Sequence, residues 1–395
     1  MAEVFLLTRG TGGDVYPFIR IGRELKSRRH EVVLFAFAKF RAVIKGAGLD
    51  FYPLDPFTPY REWLAGRGLA NDLDAQGQYM VLDLVDVCER VAARRRSAQT
   101  VLVANTNIYT TALLASEKAG AAYLPVHMAP FFAAAIGQIM KLHAGGARYL
   151  DAACAALGQP PVGDWEAYLT TRRAALGIWP EWFAPPRDDW MLDVKPVGFL
   201  RSEEVERGEL PEGLRELLDG GGPTVLITHG SSKPDGTAFF DAGVEACRRL
   251  GLSCVVVDPH TDPAGVPPRP GLRRYKFVPF AALMPHLAAL IHHGGTGTLG
   301  LAITYGVPQV VLACGFDRPD NAARLAGLGV AEYLPPYRWR ASEVAEALGR
   351  VLAAPVGLRC RALARQAGQH DASRAACELI ESLVPGHRPG RVAAR

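Results

Sequence analysis

No uninterrupted run of roughly 18 apolar residues occurs in this 395-residue chain, so no integral membrane segment is expected. Met1 is followed almost directly by the strand-like Val4-Phe5-Leu6-Leu7, which leaves no room for a secretory leader. No two cysteines stand at CxxC spacing. Cys88, Cys154, Cys247, Cys254, Cys314, Cys360 and Cys377 are scattered and odd in number, which argues against a disulfide framework or a zinc knuckle and fits reduced thiols in a cytoplasm. A net charge of +4 gives no reason to expect a nucleic-acid partner. No histidine stands between Met1 and His30. No Asp-x-Asp pair falls on a plausible rim loop; Asp72-Leu73-Asp74 lies in a segment without clear pattern, so no metal is expected. Neither glycine turn is followed by a well-placed acidic residue, which weighs against a nicotinamide oxidoreductase.

What is present is 49% apolar and 21% charged residues, a composition of globular proteins, at a length that points to two domains. The chain is organised around Ile291-His292-His293-Gly294-Gly295-Thr296-Gly297-Thr298, where an apolar run ends in glycines and a helix-compatible segment begins at Leu299. Strand, glycine turn and helix in that order build an anion site, because backbone amides can approach a ligand closely and the helix dipole faces it. Thr298 is expected at or near the N-cap, and His293 can add a donor. A plain turn without ligand is the competing reading. A second glycine turn, Arg9-Gly10-Thr11-Gly12-Gly13-Asp14-Val15-Tyr16-Pro17, follows a strand at 4–8, with Pro17 expected in the first helical turn. Strands at 31–37, 50–54, 100–105, 121–126, 224–228, 254–258 and 274–278 alternate with helices. That pattern predicts parallel, doubly wound α/β sheets. Residues 57–98 give no clean period, and Arg90, Arg94, Arg95 and Arg96 read as a solvated helix face.

The run from His293 to Asn321, with Asp317 on the same strand-end rim, resembles the donor-binding signature of the GT-B family 1 glycosyltransferases. Gly10 to Pro17 is similar to the Gly-Ser-x-Gly-Asp-Val-x-Pro opening of bacterial members, which include glycopeptide, sterol and rhamnolipid glycosyltransferases. The resemblance covers nearly the whole chain, most closely at 4–36 and 224–334. It implies the GT-B fold: two Rossmann-like, doubly wound parallel-sheet domains facing a cleft. Residues 1–205 would be the acceptor domain and 206–371 the donor domain, joined by a linker over 201–222. A helix over 372–384 would return to the first domain, and 385–395 would be a disordered tail.

The implied activity is inverting, metal-independent transfer of a hexose-type sugar from a UDP- or dTDP-sugar. The acceptor would be a hydroxyl or amine of a small natural product, saccharide or lipid. No cofactor beyond the nucleotide-sugar is implied, and the protein would be a cytoplasmic monomer or homodimer. Donor binding would fall to Gly230, Ser231, Val278 (beside the nucleobase), His293, Gly294, Gly295, Thr296, Gly297, Thr298, Asp317 and Arg318. Acceptor binding would fall to Gly12, Gly13, His127 and Phe131. Asp14 would be the general base, or an ordinary N-cap, or both. His127 can equally be a packed core histidine.

Four positions depart from the family pattern. Thr11 replaces Ser. Arg29 stands where Gly is common, so that helix end would be capped differently. Arg318 replaces Gln, and would meet a carboxylated sugar, a phosphate or Asp320. Leu301 stands where plant relatives grip the ribose diol with Glu, which admits a thymidine donor. Competing functions are a sugar-nucleotide epimerase of the same fold and a catalytically silent helper protein.

Overall fold

The computed structural model describes residues 1–55, 73–200, 208–232, 237–262 and 269–384. The first sheet contains β1 (Glu3–Leu7), β2 (Glu31–Ala36), β3 (Asp50–Pro53), β4 (Thr100–Asn105), β5 (Ala122–His127), β6 (Ala174–Gly177) and β7 (Asp193–Pro196). The second contains β8 (Thr224–Thr228), β9 (Ser253–Val257), β10 (Leu272–Tyr275), β11 (Leu287–His292), β12 (Gln309–Leu312) and β13 (Ala331–Leu334). Their orders are β3-β2-β1-β4-β5-β6-β7 and β10-β9-β8-β11-β12-β13. The named pairs are parallel. The central strands β1, β4 and β8 are buried along their whole length, because helices cover both faces of a parallel sheet. Chain direction across each sheet reverses at its first strand, between β1 and β4 and again between β8 and β11. A crevice therefore opens beyond the carboxyl ends of those strands. This is a two-domain α/β GT-B architecture.

Several expectations need correction. The patternless stretch contains a helix, Leu73–Arg94, whose buried Leu84, Val87, Cys88 and Val91 follow the i, i+3, i+4, i+7 spacing of one face. Its Arg90 is not simply solvated: it bonds Asp86 (2.9 Å) and the Pro53 carbonyl (3.1 Å). Residues 57–72 and the tail at 385–395 lie outside the described residues, as do 201–207 of the expected linker. The rest of that linker contains the helix Glu212–Asp219, which buries Leu214 among Leu226, Val255 and Val278. β10 ends at Tyr275, so Val278 follows the strand and belongs to the core. Among the described residues, no helix is long and apolar enough to cross a membrane.

The helix Gly12–Ser27 starts earlier than expected, which leaves Pro17 inside it rather than in its first turn. Its far end keeps the geometry that glycine usually supplies. The His30 N–H bonds the Leu25 carbonyl (3.1 Å) and the Arg29 N–H bonds the Lys26 carbonyl (2.9 Å), the paired bonds of a Schellman cap. Arg29 itself takes the left-handed conformation, at φ 68°. The helix Ala372–Ser382 packs against Gly12–Ser27, with Arg20 Nε donating to Ser373 Oγ at 2.9 Å.

Because an exposed, non-glycine residue holds that left-handed position, Arg29→Gly should stabilise the protein by about 1 kcal/mol. The measurement is the denaturant midpoint. A variant no more stable than the parent would show that the arginine side chain offsets its backbone strain.

Candidate functional site

The first wall of the cleft is built on the Gly10 turn. Gly10 has φ +145°, and a Cβ there would lie 2.0 Å from Asp14 Oδ2, so the turn exists only with a glycine making room for that carboxylate. Asp14 is not the N-cap. Thr11 is, and Asp14 is the N3 member of a capping box, accepting from the Thr11 N–H at 2.7 Å. Asn107 Nδ2 reaches its other oxygen at 3.2 Å, and Asn105 Nδ2 stands 3.5 Å from it while also holding the Arg9 carbonyl (2.8 Å). The Arg9 guanidinium forms a two-pronged pair with Asp83 on the long helix, which ties the turn to the rest of the domain. Burial raises the Asp14 pKa from 3.8 to about 6; the Thr11 N–H opposes that shift, and the charge of Asp317 across the cleft adds to it. Asn105, Asn107, Arg9 and Asp83 were not anticipated. The signal available for the asparagines was their place at the carboxyl end of a central strand.

Two glycine turns form the opposite wall. Gly230 (φ +67°) and Ser231 follow β8, while His293, Gly294 (φ +94°) and Gly295 follow β11. The His293 ring lies between them. A Cβ on Gly230 would come within 2.5 Å of His293 Cε1, and one on Gly295 within 2.5 Å of Nε2. Burial pulls the His293 pKa well down, assisted by the charges of Arg318, His229 and His292, so the imidazole is neutral. The next helix is Thr296–Tyr305, capped by Gly295 with no side-chain bond. Thr298 is thus its third residue rather than its cap. The N–H groups of Thr296, Gly297 and Thr298 have no partner within the helix and form a dipole end facing the cleft. Asn321 Nδ2 braces the wall, within reach of the Gly294 carbonyl (3.0 Å), Asp317 Oδ2 (3.0 Å) and Thr296 Oγ1 (3.4 Å). Arg318 Nη2 donates to Ser232 Oγ at 3.1 Å, whereas Asp320 is paired with Arg324 at 2.9 Å; the expected Arg318–Asp320 alternative is not the arrangement seen.

The walls meet closely. Gly12 is near enough to the second domain that a Cβ would lie 3.6 Å from Ser231 Oγ. Between them opens a pocket lined by Gly13, Pro17, Ile178, Phe199 and Leu200 on one side and Thr296, Gly297, Gly300 and Leu301 on the other. Two anticipated side chains do not reach it. Val278 is packed in the second core, so only its backbone can border a ligand. His127 is fully buried with both ring nitrogens unpartnered, and burial pushes its pKa down to about 3. Phe131 is half-buried against Phe132. Among the described residues, no group of three His, Cys, Asp or Glu side chains is arranged to hold a metal.

The glycines of the second wall serve different needs. Gly295 has no space for a Cβ, whereas Gly297 has no heavy atom within 4 Å of one and is exposed to the cleft. Gly295→Ala should therefore lower the melting temperature. Gly297→Ala should leave it unchanged or higher, through better helix propensity, while weakening nucleoside diphosphate binding roughly tenfold or more, a loss of amide contact. Calorimetry with full affinity retained in Gly297→Ala would remove this helix end from the binding site.

Two stretches of the chain match known domain families. Residues 4–123 match the glycosyltransferase family 28 N-terminal domain, and residues 254–384 match the C-terminal domain of the erythromycin biosynthesis protein CIII-like family. The chain is 28% identical to the O-mycaminosyltylonolide 6-deoxyallosyltransferase of Streptomyces fradiae, over 98% of this chain and 100% of that protein. It is 32% identical to the TDP-daunosamine transferase of Streptomyces peucetius over 48% of this chain and 43% of that one. In fold it is similar to the kitacinnamycin glycotransferase (TM-score 0.75, 21% identity, 97% and 99% covered). It is likewise similar to the glycosyltransferase VinC in complex with dTDP (TM-score 0.69, 20% identity, 96% and 99% covered). With one such domain match on each side of the cleft and a full-length sugar-transferring relative, the chain belongs to the GT-B glycosyltransferases of family 1 and is a nucleotide-sugar-dependent enzyme.

Proposed function

We propose that this enzyme moves a hexose-type sugar, with inversion and without a metal, from a dTDP- or UDP-sugar to a hydroxyl or amine of a small natural-product, saccharide or lipid acceptor. The observation that carries the reading is the opposition of two half-buried carboxylates across the cleft. Asp14 is held by Thr11 and Asn107 in the first domain, and Asp317 by Asn321 in the second; the charge of Asp317 is felt at Asp14.

In this reading Asp14 takes the acceptor proton and the acceptor oxygen forms a bond to the anomeric carbon. The bond from that carbon to the diphosphate breaks with its electron pair going to the phosphate oxygen. The free amides of the Thr296–Tyr305 helix, with the neutral His293, meet the departing charge. Asp317 holds sugar hydroxyls. Gly12 and Gly13 border the acceptor, and Gly230 and Ser231 the donor. Direct attack from the Asp14 side displaces the diphosphate on the other face, hence inversion.

A thymidine donor is favoured over uridine. Leu301 offers the sugar of the nucleoside no carboxylate, and one relative is named for a TDP-sugar while a fold neighbour is described with dTDP bound. Antibiotic-type acceptors follow the same relatives. We place the enzyme in the cytoplasm, as a monomer or homodimer. An epimerase of this fold would change the nucleotide-sugar with no acceptor present, so product analysis without acceptor separates the two activities.

Two outcomes are expected. Asp14→Asn should lower turnover at least roughly a hundredfold, since the amide cannot take the proton, while keeping the capping bond to Thr11. In the parent enzyme kcat/KM should rise as pH passes through about 6 and level off above, because the base acts only when ionised. Stability should run the opposite way. The folded-state pKa lies above the ordinary 3.8, so this group's contribution is full below about 4 and is lost as pH rises through about 6, and the Asn variant should lack that dependence. Near-normal turnover in Asp14→Asn with saturating acceptor would reduce the aspartate to its capping-box role. Asp317→Ala should weaken nucleotide-sugar binding or turnover while leaving free nucleoside diphosphate affinity within a few-fold; equal losses for both ligands would place Asp317 elsewhere in the mechanism.

A further inference from the structure

The two carboxylate oxygens of Asp14 keep different company. Oδ2 belongs to the turn: it accepts from the Thr11 N–H at 2.7 Å and from the Thr11 hydroxyl at 3.4 Å, and a Cβ on Gly10 would strike it. Among the described residues, Oδ1 is reached by two carboxamides, Asn107 Nδ2 at 3.2 Å and Asn105 Nδ2 at 3.5 Å. With Oδ2 committed to the cap, Oδ1 is the oxygen left to take a proton.

The two asparagines are not equivalent. Asn105 ends β4, is fully buried and clamps the Arg9 backbone, accepting from its N–H at 3.4 Å and donating to its carbonyl at 2.8 Å. Its 3.5 Å approach to Asp14 lies beyond the ordinary range of a hydrogen bond. Asn107 is an exposed residue of the short helical turn Thr106–Ile108, which the buried Ile108 and Tyr109 fix in place. Its amide nitrogen meets two acceptors, the Arg9 carbonyl at 2.9 Å and Asp14 Oδ1. Two acceptor oxygens on that side admit only the NH2 end, so the amide has one orientation. Charged groups come to Asp14 from other elements. Asp317 faces it from the second domain, with Arg318 adjoining and acting against burial at Asp317. Arg9 is paired with Asp83, and the next charged residue on the Asp14 helix, Arg20, reaches Ser373. Residues 100–109 bring no charged side chain. Burial raises the Asp14 carboxyl, and the hydrogen bonds from Thr11 and Asn107 oppose that rise.

Resting on the reading of Asp14 as the base, we propose that Asn107 is its positioning residue, a carboxamide that holds Oδ1 ionised and in place to receive the acceptor proton. An N–H donor favours the carboxylate over the neutral acid, so its bond is strongest before the proton arrives. The proton passes from the acceptor hydroxyl or amine to Oδ1, the acceptor lone pair forms the bond to the anomeric carbon, and the diphosphate leaves with the electron pair of the broken bond. Asn105 holds the turn on which this depends and is not itself the tuning group.

The test needs no substrate. The melting temperature of the full chain is measured between about pH 4 and 8 for the parent and Asp14→Asn, and for Asn107→Ala with and without Asp14→Asn, so that each pair isolates the titration of Asp14. Because this pKa lies above its ordinary value, the aspartate member should lose stability against its asparagine counterpart as pH rises from about 4, and the loss should end near 6. In the Asn107→Ala pair that end point should move up by roughly half to one pH unit, the effect of one partly exposed hydrogen bond to the charged form. Asn107→Asp, which keeps the size of the side chain but puts a like charge where the donor was, should move it further. Asn105→Ala should lower the melting temperature at every pH and move the end point less. An end point unmoved in both Asn107 variants would reduce the residue to a brace for the Arg9 carbonyl and overturn the proposal. An equal shift in Asn105→Ala would also overturn it, since the turn and not the Asn107 amide would then set the titration. Near-normal turnover in Asp14→Asn would bring down the base reading itself, and this proposal with it, whatever the end points show.

Discussion

One imidazole held between two glycines is the contact on which the donor side of the cleft depends. His293 leaves β11 into a space that Gly230 and Gly295 keep open, and neither position has room for a methyl group. The ring in turn faces His229 at 5.1 Å, whose Nδ1 donates to the Ser232 carbonyl at 2.9 Å. The turn after β8 and the turn after β11 are therefore packed on each other through side chains that cannot move independently. Dense packing of this kind turns two flexible glycine loops into a rigid wall. That rigidity lets the amides at the start of Thr296–Tyr305 be presented without a ligand to order them.

The electrostatics of the cleft follow from burial more than from ion pairing. Asp14 and Asp317 are both raised by desolvation, and hydrogen bonds from Thr11 and from Asn321 restrain rather than cancel the shift. His293 is driven neutral by the same removal of water. The enzyme thus holds a carboxylate poised near 6 on its first wall and a row of uncharged donors on its second. That separation suits a proton acceptor on one side and a departing anion on the other.

The two domains are joined by contacts as tight as those within them. Gly300 allows the donor-side helix to lie against Phe199, where a Cβ would come within 3.0 Å of the ring. Gly198 (φ +111°) lets the chain turn beneath Ala372 at the start of the last long helix. Arg324 reaches the Phe183 carbonyl at 3.4 Å, and Cys377 and Ser373 seat that last helix on Gly12–Ser27. Glycines at these crossings serve close approach between domains, which is a different use from the anion-facing role of Gly297.

Much of this was open to a reader of the residues. Apolar runs of five or six ending in glycine specify buried parallel strands and the turns at their carboxyl ends, since no other arrangement satisfies both the backbone and the side chains. The two glycine turns, Asp14, His293 and Asp317 were legible for that reason: each is a local pattern anchored to a strand end. The helix Leu73–Arg94 was not, because its apolar stripe is narrow and the flanking sequence shares no period. Asn105, Asn107, Asn321 and Asp83 escaped because their roles depend on which strand ends lie side by side, and sheet order is a matter of crossover geometry. His127 and Val278 show the converse. Each sits in sequence where a ligand contact was expected, yet each side chain is enclosed by its own core, which residue order does not reveal. The strands, turns and chemistry of the cleft were thus set by local sequence, whereas the tertiary structure alone decided which polar groups face one another across it, because burial and opposition arise only when distant segments pack.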